Sequence, residues 1–182
     1  MRFSSLFAAV LCSGLMVACA ETKPFAQPIL LTSCGQCADA LMMKTLLSRD
    51  SLAFSYLPTA TAADLDGKGS LMLVVGGSSK GLGAAKISAD DETARVTALL
   101  DAAEKAEIPI IAVHMGGLAR RGALSDPFNR LGAEHAHRLI VVKGGDNDSL
   151  FTKIAEDNSI LLETADTALG VSPLVKKIYH NE

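Results

Sequence analysis

Tryptophan is absent from the 182 residues, and with 2 Tyr and 6 Phe the aromatic share is only 4%. A core of ordinary domain size must therefore be assembled from Leu, Ile, Val, Met and Ala. Excess basic charge is also missing. The formal charge is -3, and removing residues 1–20, which hold Arg2 and no acidic side chain, leaves 16 basic against 20 acidic residues, or -4. That balance excludes a large basic footprint for nucleic acid and leaves room only for a local cationic pocket. Beyond the N-terminal stretch no apolar run is long enough to span a bilayer. Internal repeats, low-complexity tracts and interior linkers are lacking too, which points to one domain.

The first 20 residues read as an export signal. Arg2 gives a positive n-region, residues 6–17 an apolar h-region too short to cross a membrane comfortably, and Ala18-Cys19-Ala20 the small-x-small form of a cleavage site. Met16-Val17-Ala18-Cys19 also resembles a bacterial lipobox, in which Cys19 would be acylated and become the mature N-terminus. The two readings differ in processing and agree on location. The protein is expected outside the cytoplasm, periplasmic or otherwise extracytoplasmic, touching the membrane only through a lipid on Cys19. Residues 21–27 then form an exposed leader and residues 28–182 a single domain.

What the chain does contain is a series of short apolar runs alternating with helical periodicity. Residues 29–31 read as a first strand. Ala38, Leu41, Met42, Thr45 and Leu46 mark one face of a helix that ends near Arg49-Asp50. Residues 53–57 form a second strand closed by Pro58, and residues 61–65 one helical turn. Residues 71–75 are apolar without interruption, as expected of a strand buried on both faces. They run into a loop with glycines at 76, 77, 81 and 83, after which residues 84–90 give no clear signal. Asp90, Asp91 and Glu92 favour a helix N-terminus, with Val96, Leu99, Leu100 and Ala103 as its buried stripe. Residues 108–113 are the next strand, 118–126 a long polar loop, 128–131 a short helix and 139–142 a strand. A helix around Leu150, Phe151, Ile154 and Ala155 follows, then a last short strand at 160–162. Ser172 as N-cap, with Pro173 at the first helical position, opens a terminal helix through Ile178. This alternation predicts an α/β fold: a single doubly wound, mostly parallel five-stranded sheet in a flavodoxin-like or Rossmann-like three-layer sandwich.

In such a sheet ligands bind beyond the carboxyl ends of the strands, near the reversal of strand order. Four loops are expected there, at residues 32–37, 76–83, 114–125 and 143–149. Each is rich in Gly, Ser or Thr, and three carry cations: Lys80, Arg120 with Arg121, and Lys143. Backbone N–H groups of Gly76, Gly77, Ser78 and Ser79, with Lys80, would cradle a small anion. Arg120 or Arg121 would add a bidentate grip, Ser33 and Gln36 polar contacts, and Gly116 and Gly117 room for close approach. His114 ends a central strand beside the glycine loop and is the candidate for acid–base work or ligand contact, with no partner identifiable in the sequence. The competing structural reading is that glycine loops merely join strands to helices and the arginines are solvated.

Two motifs invite other chemistry. Residues 77–83, GSSKGLG, resemble the Gly-x-x-x-Gly-x-Gly turn of short-chain dehydrogenases. That turn follows the first strand of its family, however, and neither Tyr56 nor Tyr179 is followed by the Lys of a Tyr-x-x-x-Lys pair, so no dinucleotide and no other cofactor is expected. Cys34-Gly35-Gln36-Cys37 follows a strand at the start of a helix, as the redox motif of thioredoxin-like proteins does. A helix N-terminus would lower the Cys34 pKa, making it the attacking thiolate and Cys37 the resolving thiol, and outside the cytoplasm the pair would rest as a disulfide. The facing cis-proline loop has only Ile108-Pro109-Ile110 as a candidate, and no closing hairpin follows. No metal is expected: two cysteines without a neighbouring His are half a zinc site, and His135-x-His137 falls at the opposite edge.

The ordered series SCGQCADALMMKTLL, LMLVVGGSSKGLGAA, IPIIAVHMGGLARRGALSDPF and LIVVKGGDNDSLFTKIAEDN is similar to a family of exported bacterial proteins known only as a domain of unknown function. The resemblance spans residues 28–163, and the run through Arg120-Arg121-Gly122 is its most distinctive part. It implies a compact Rossmann-like domain outside the cytoplasm and no established activity. The expectation is thus an exported, non-catalytic domain that binds a small anionic molecule at the carboxyl edge of its sheet. A thiol–disulfide oxidoreductase using Cys34 and Cys37, and an envelope protein-interaction module, are the alternatives.

Overall fold

The computed structural model describes residues 24–180. The signal sequence, the lipobox and Cys19 lie outside the described residues. Those residues form β1 (Ile29–Cys34), α1 (Asp39–Arg49), β2 (Phe54–Tyr56), β3 (Ser70–Val75), α2 (Ser79–Ala85), α3 (Ala89–Lys105), β4 (Ile110–His114), α4 (Ser125–Glu134), β5 (Arg138–Val142), α5 (Leu150–Asp157), β6 (Leu161–Ala165) and α6 (Val171–His180). The strands make one sheet in the order β2-β1-β3-β4-β5-β6, and every pairing is parallel.

The α/β class is as the apolar runs imply, but the sheet has six strands rather than five. β6 pairs with β5 over its whole length, Arg138 opposite Leu161 through Val142 opposite Ala165. It is an edge strand whose Glu163 meets Arg138 at 3.4 Å, so its apolar pattern breaks off early in the sequence. β1, β3 and β4 are buried throughout, and alternate residues enter two separate cores, as the pleat requires. Leu71, Leu73 and Val75 pack with Val96, Leu99 and Leu100 of α3, Phe128 of α4 and Phe151 of α5. Met72 and Val74 pack on the other face with Met43 and Leu47 of α1 and Val175 and Ile178 of α6. The result is three layers.

Several local expectations are corrected. The stretch from Ser79 is the helix α2, so Gly81 and Gly83 are helical. Residues 84–90 hold a helix-to-helix joint: Lys86 closes α2 at φ +57°, and Ser88 caps α3. The Ser88 Oγ accepts from the Asp91 N–H at 3.0 Å while the Asp91 carboxylate accepts from the Ser88 N–H at 3.0 Å. Residues 118–126 are not an open loop. A 3-10 turn spans Gly117–Arg120, and α4 starts at Ser125, with Pro127 in the first turn, where its missing N–H costs nothing. α6 starts at Val171, which makes Pro173 its third residue. Ser172 is no cap: its Oγ accepts from Arg49 Nη2 at 2.7 Å and donates to Asp50, tying α6 to the end of α1.

Candidate functional site

The carboxyl edge of the sheet is organised around a tight reversal after β1. Gly35 and Gln36 have φ of +101° and +57°, and a non-glycine residue holding a left-handed conformation must be fixed by its surroundings. Gln36 is fixed by its amide, which donates to Pro58 O at 2.9 Å and to both oxygens of Glu92 at 3.1 and 3.2 Å. Gly35 N–H donates to Glu92 Oε1 at 2.9 Å. Glu92 is fully buried, and Arg95 binds it through Nε and Nη2 at 2.8 Å each. The remaining guanidinium donors reach Ala60 O and Ser33 O at 2.7 Å. The ion pair thus satisfies its own hydrogen bonds while clamping α3 to the segments after β1 and β2. In the sequence Glu92 reads only as an acidic residue of a helix start, because Gly35 and Gln36, which it holds, lie more than fifty positions away.

The same reversal separates the two cysteines. Cys34 ends β1 and faces the core under α3, α4 and α5, its thiol 3.3 Å from Phe128 O. Cys37 swings to the opposite core, its thiol 3.8 Å from Val74 O and 3.9 Å from Ser33 Oγ. Both thiols are free and buried. Burial is the chief reason that the Cys34 pKa lies far above the ordinary thiol range, and burial followed by Asp39 pushes Cys37 up to about 11. α1 begins at Asp39; Cys34 stands well before it, and although the Asp39 N–H meets the Cys37 sulfur and draws its pKa down, burial outweighs that contact. Burial thus moves both thiols in the direction opposite to the lowered pKa that the redox alternative calls for.

A cleft of about 520 Å³ opens beyond β1, where the strand order passes from β2-β1 to β1-β3. Its walls come from three places: Ser33, Gln36, Cys37, Ala38 and Leu41 around the start of α1; Tyr56, Pro58 and Thr59 after β2; and Ser78, Gly81, Ala84 and Ala85 along α2. Gly81 is needed for this arrangement. A Cβ there would lie 1.8 Å from Gln36 O, so only glycine lets α2 lean on the reversal.

The anion cradle expected at residues 76–80 is otherwise engaged. Gly76 N–H donates to Cys34 O at 3.0 Å, Ser78 N–H to Gly35 O at 2.9 Å and Gly77 N–H to Ser125 Oγ at 3.1 Å. Ser78 Oγ caps α2 by accepting from Gly81 N–H. Ser79 and Lys80 are exposed and do not line the cleft.

His114, Gly116, Gly117, Arg120 and Arg121 gather elsewhere, around the ends of β4 and β5. Arg121 is enclosed: Nε meets Asp126 at 2.7 Å, Nη1 and Nη2 meet Asp148 at 2.8 Å each, and Nη1 also donates to Gly145 O. The hydrogen bonds that Arg121 donates to Asp148 and then to Asp126 raise its pKa, and the same contact holds the Asp148 carboxyl well below its usual range. Arg120 Nε meets Asp39 at 3.1 Å, and Lys143 meets Asp166 at 2.6 Å. These three cations neutralise carboxylates of the fold, whereas Lys80 has no carboxylate partner among the described residues.

His114 is completely buried. Its ring lies 4.8 Å from that of Phe151, and Nε2 is 3.1 Å from Gly117 O. The ring is wedged so closely on Gly145 that a Cβ there would come within 2.3 Å of it. Asn129 Nδ2 donates to Arg120 O at 3.0 Å and Asp126 Oδ1 at 3.2 Å. His114 Nδ1 and Asn129 Oδ1 are the buried side-chain polar atoms without a regular hydrogen bond among the described residues. Burial lowers the His114 pKa, opposed by the Gly117 and Asn129 oxygens. The oxygens around the ring are those of Gly117 and Asn129, and His114 does not line the cleft. No group of three or more His, Cys, Asp or Glu side chains is placed to hold a metal among the described residues.

An all-parallel α/β domain with a ligand-sized cleft at its topological switch point is the class these features define. The chain belongs to the family described as Domain of unknown function (DUF6305), which matches residues 26–179. No curated protein matches the sequence. Among solved structures, the chain is similar to a putative lipolytic protein of the G-D-S-L family from Desulfitobacterium hafniense, with 12% identity over 75% of each chain and a TM-score of 0.35. It is also similar to a GDSL-like lipase from Bacteroides thetaiotaomicron, with 8% identity over 75% of this chain and 66% of that one, at a TM-score of 0.36. Likeness at this level carries no functional argument.

Proposed function

We propose that the protein is an exported, non-catalytic domain that binds a small organic molecule in the cleft at the carboxyl ends of β1, β2 and β3. The observation that carries this reading is the cleft: about 520 Å³, walled by three segments, at the position where parallel sheets take ligands. The reading is non-catalytic because the lining holds no activated group. Ser33 Oγ accepts from Cys37 N–H at 3.0 Å, the Cys37 thiol is pushed up to about 11, and no His or carboxylate stands in the wall. Thermal-shift screening of the mature protein against small organic molecules tests it, with Ala85→Phe filling the cleft. Ligands should stabilise the wild type and not the variant; ligands that stabilise both equally would place binding elsewhere. Export rests on residues 1–20, and the mass of the protein recovered from the envelope distinguishes an N-terminus at Glu21 from an acylated Cys19.

A second reading, a protein-interaction module using the same edge, is favoured by the apolar side chains left in water there. Leu41 is 54% exposed and Leu118 72%. Cross-linking from both positions in envelope preparations would capture such a partner.

A further inference from the structure

Resting on the cleft reading, the charge distribution around the cleft indicates what kind of molecule it takes. Apolar lining comes from Ala38, just before α1, and Leu41 on α1 together with Ala84 and Ala85 on α2, and polar lining from Ser33 and Gln36. No charged side chain lines the cleft. Glu92, behind Gln36, is neutralised by Arg95 at 2.8 Å. One cation stands beside the Tyr56 part of the wall. Lys44 lies one turn beyond Leu41 on α1, and its Nζ sits 5.7 Å from the centroid of the Tyr56 ring, itself part of the wall. Unlike Arg120, Arg121 and Lys143, Lys44 has no carboxylate partner among the described residues. Neither Lys80 nor Lys86, the left-handed residue that closes α2, lines the cleft.

We infer that the ligand is an amphipathic monoanion, a carboxylate whose apolar body lies between Leu41 and the alanines of α2 and whose charge is met by Lys44. The apolar wall makes burial of such a body favourable, while an ammonium on a flexible stem suits a single carboxylate without demanding bidentate geometry. Phosphate fits poorly. It needs several donors, and the backbone N–H groups of Gly76, Gly77 and Ser78 are already bonded within the fold.

Isothermal titration of the mature protein with decanoate and 2-naphthoate, beside the neutral decanol and 2-naphthalenemethanol, tests the assignment. The carboxylates should bind the wild type about five- to tenfold more tightly than their neutral counterparts, a preference that shrinks as salt rises. Lys44→Met should abolish that preference, Lys44→Arg should restore it, and Ala85→Phe should remove binding of all four. If the neutral compounds bind as well as the acids and Lys44→Met changes nothing, the monoanion assignment falls while the cleft reading stands. If none of the four binds the wild type, or Ala85→Phe leaves binding intact, the cleft reading falls with it.

Discussion

His114 lies against two oxygens and, while neutral, can offer an N–H to only one of them. Gly117 O is 3.1 Å from Nε2, and Asn129 turns Oδ1 toward the ring because its Nδ2 is held by Arg120 O and Asp126. Both oxygens favour the imidazolium, yet burial outweighs them and Arg121 adds repulsion, so the pKa is lowered. A base whose folded pKa lies below its unfolded value of about 6.5 takes up its proton more readily when unfolded. Its contribution to stability is therefore complete above about pH 6.5 and is lost as pH falls through the folded value. Urea unfolding at a series of pH values should show stability falling from pH 7 toward 5 with a smaller slope in His114→Gln. Equal slopes in the two proteins would refute the assignment. The sequence places His114 at the end of a strand correctly but gives no sign of this confinement, since Asn129 and Gly145 reach it only through the packing of α4 and the turn after β5. Arg120 and Arg121 teach the same lesson. Their charge and their place at the edge are readable; their partners Asp39 and Asp148 stand 81 and 27 positions away.

Among the elements, α3 carries more of the site than its pattern suggests. The acidic residues at its start and its apolar stripe are legible, and the helix forms where they indicate. The period of the stripe puts Glu92 on the same inward face as Val96, Leu99 and Ala103; what it cannot reveal is that Glu92 holds Gly35 and Gln36. Removing one partner of a buried, fully bonded pair costs about 3–5 kcal/mol, because the other charge is left without compensation. Glu92→Leu should therefore be strongly destabilising in urea, and the double variant Glu92→Leu with Arg95→Met should lose less than the sum of the two single changes. Additive losses would mean that the clamp is not a unit. The segment between β1 and α1 gives a second test. Spacing alone makes Cys34-Gly35-Gln36-Cys37 look like a redox motif, but β1 runs on through Cys34 and the left-handed pair that follows sends Cys37 to the other core. Iodoacetamide should leave both thiols untouched in the native protein and alkylate both in denaturant, as mass spectrometry would show. Rapid native labelling of Cys34 would overturn this account.

At the scale of the whole molecule, the alternation of apolar runs and helical stripes is enough to infer a parallel sheet with helices on both faces, and thereby the edge at which loops collect. It does not tell which loops face one another. The order β2-β1-β3-β4-β5-β6 divides that edge in two: segments after β1 and β2, with α2 after β3, wall the cleft, while those after β4 and β5 bind each other through Arg121, Asp126 and Asp148. Only Ser33, Gln36 and Ser78 of the expected anion-binding residues line the cleft. The two halves should respond separately to mutation. Arg121→Gln leaves Asp126 and Asp148 without their counter-charge and should lower the melting temperature, yet preserve the stabilisation that a cleft ligand confers. Ala85→Phe should do the reverse, abolishing ligand stabilisation while shifting the melting temperature of the ligand-free protein less than Arg121→Gln does, because the added ring enters open cleft space and breaks no ion pair. In the double variant the two effects should add, because the sites share no partner. Loss of ligand stabilisation in Arg121→Gln alone would instead join the halves into one site, with the arginine cluster acting on the cleft through Gly77, whose N–H is held by Ser125 at 3.1 Å.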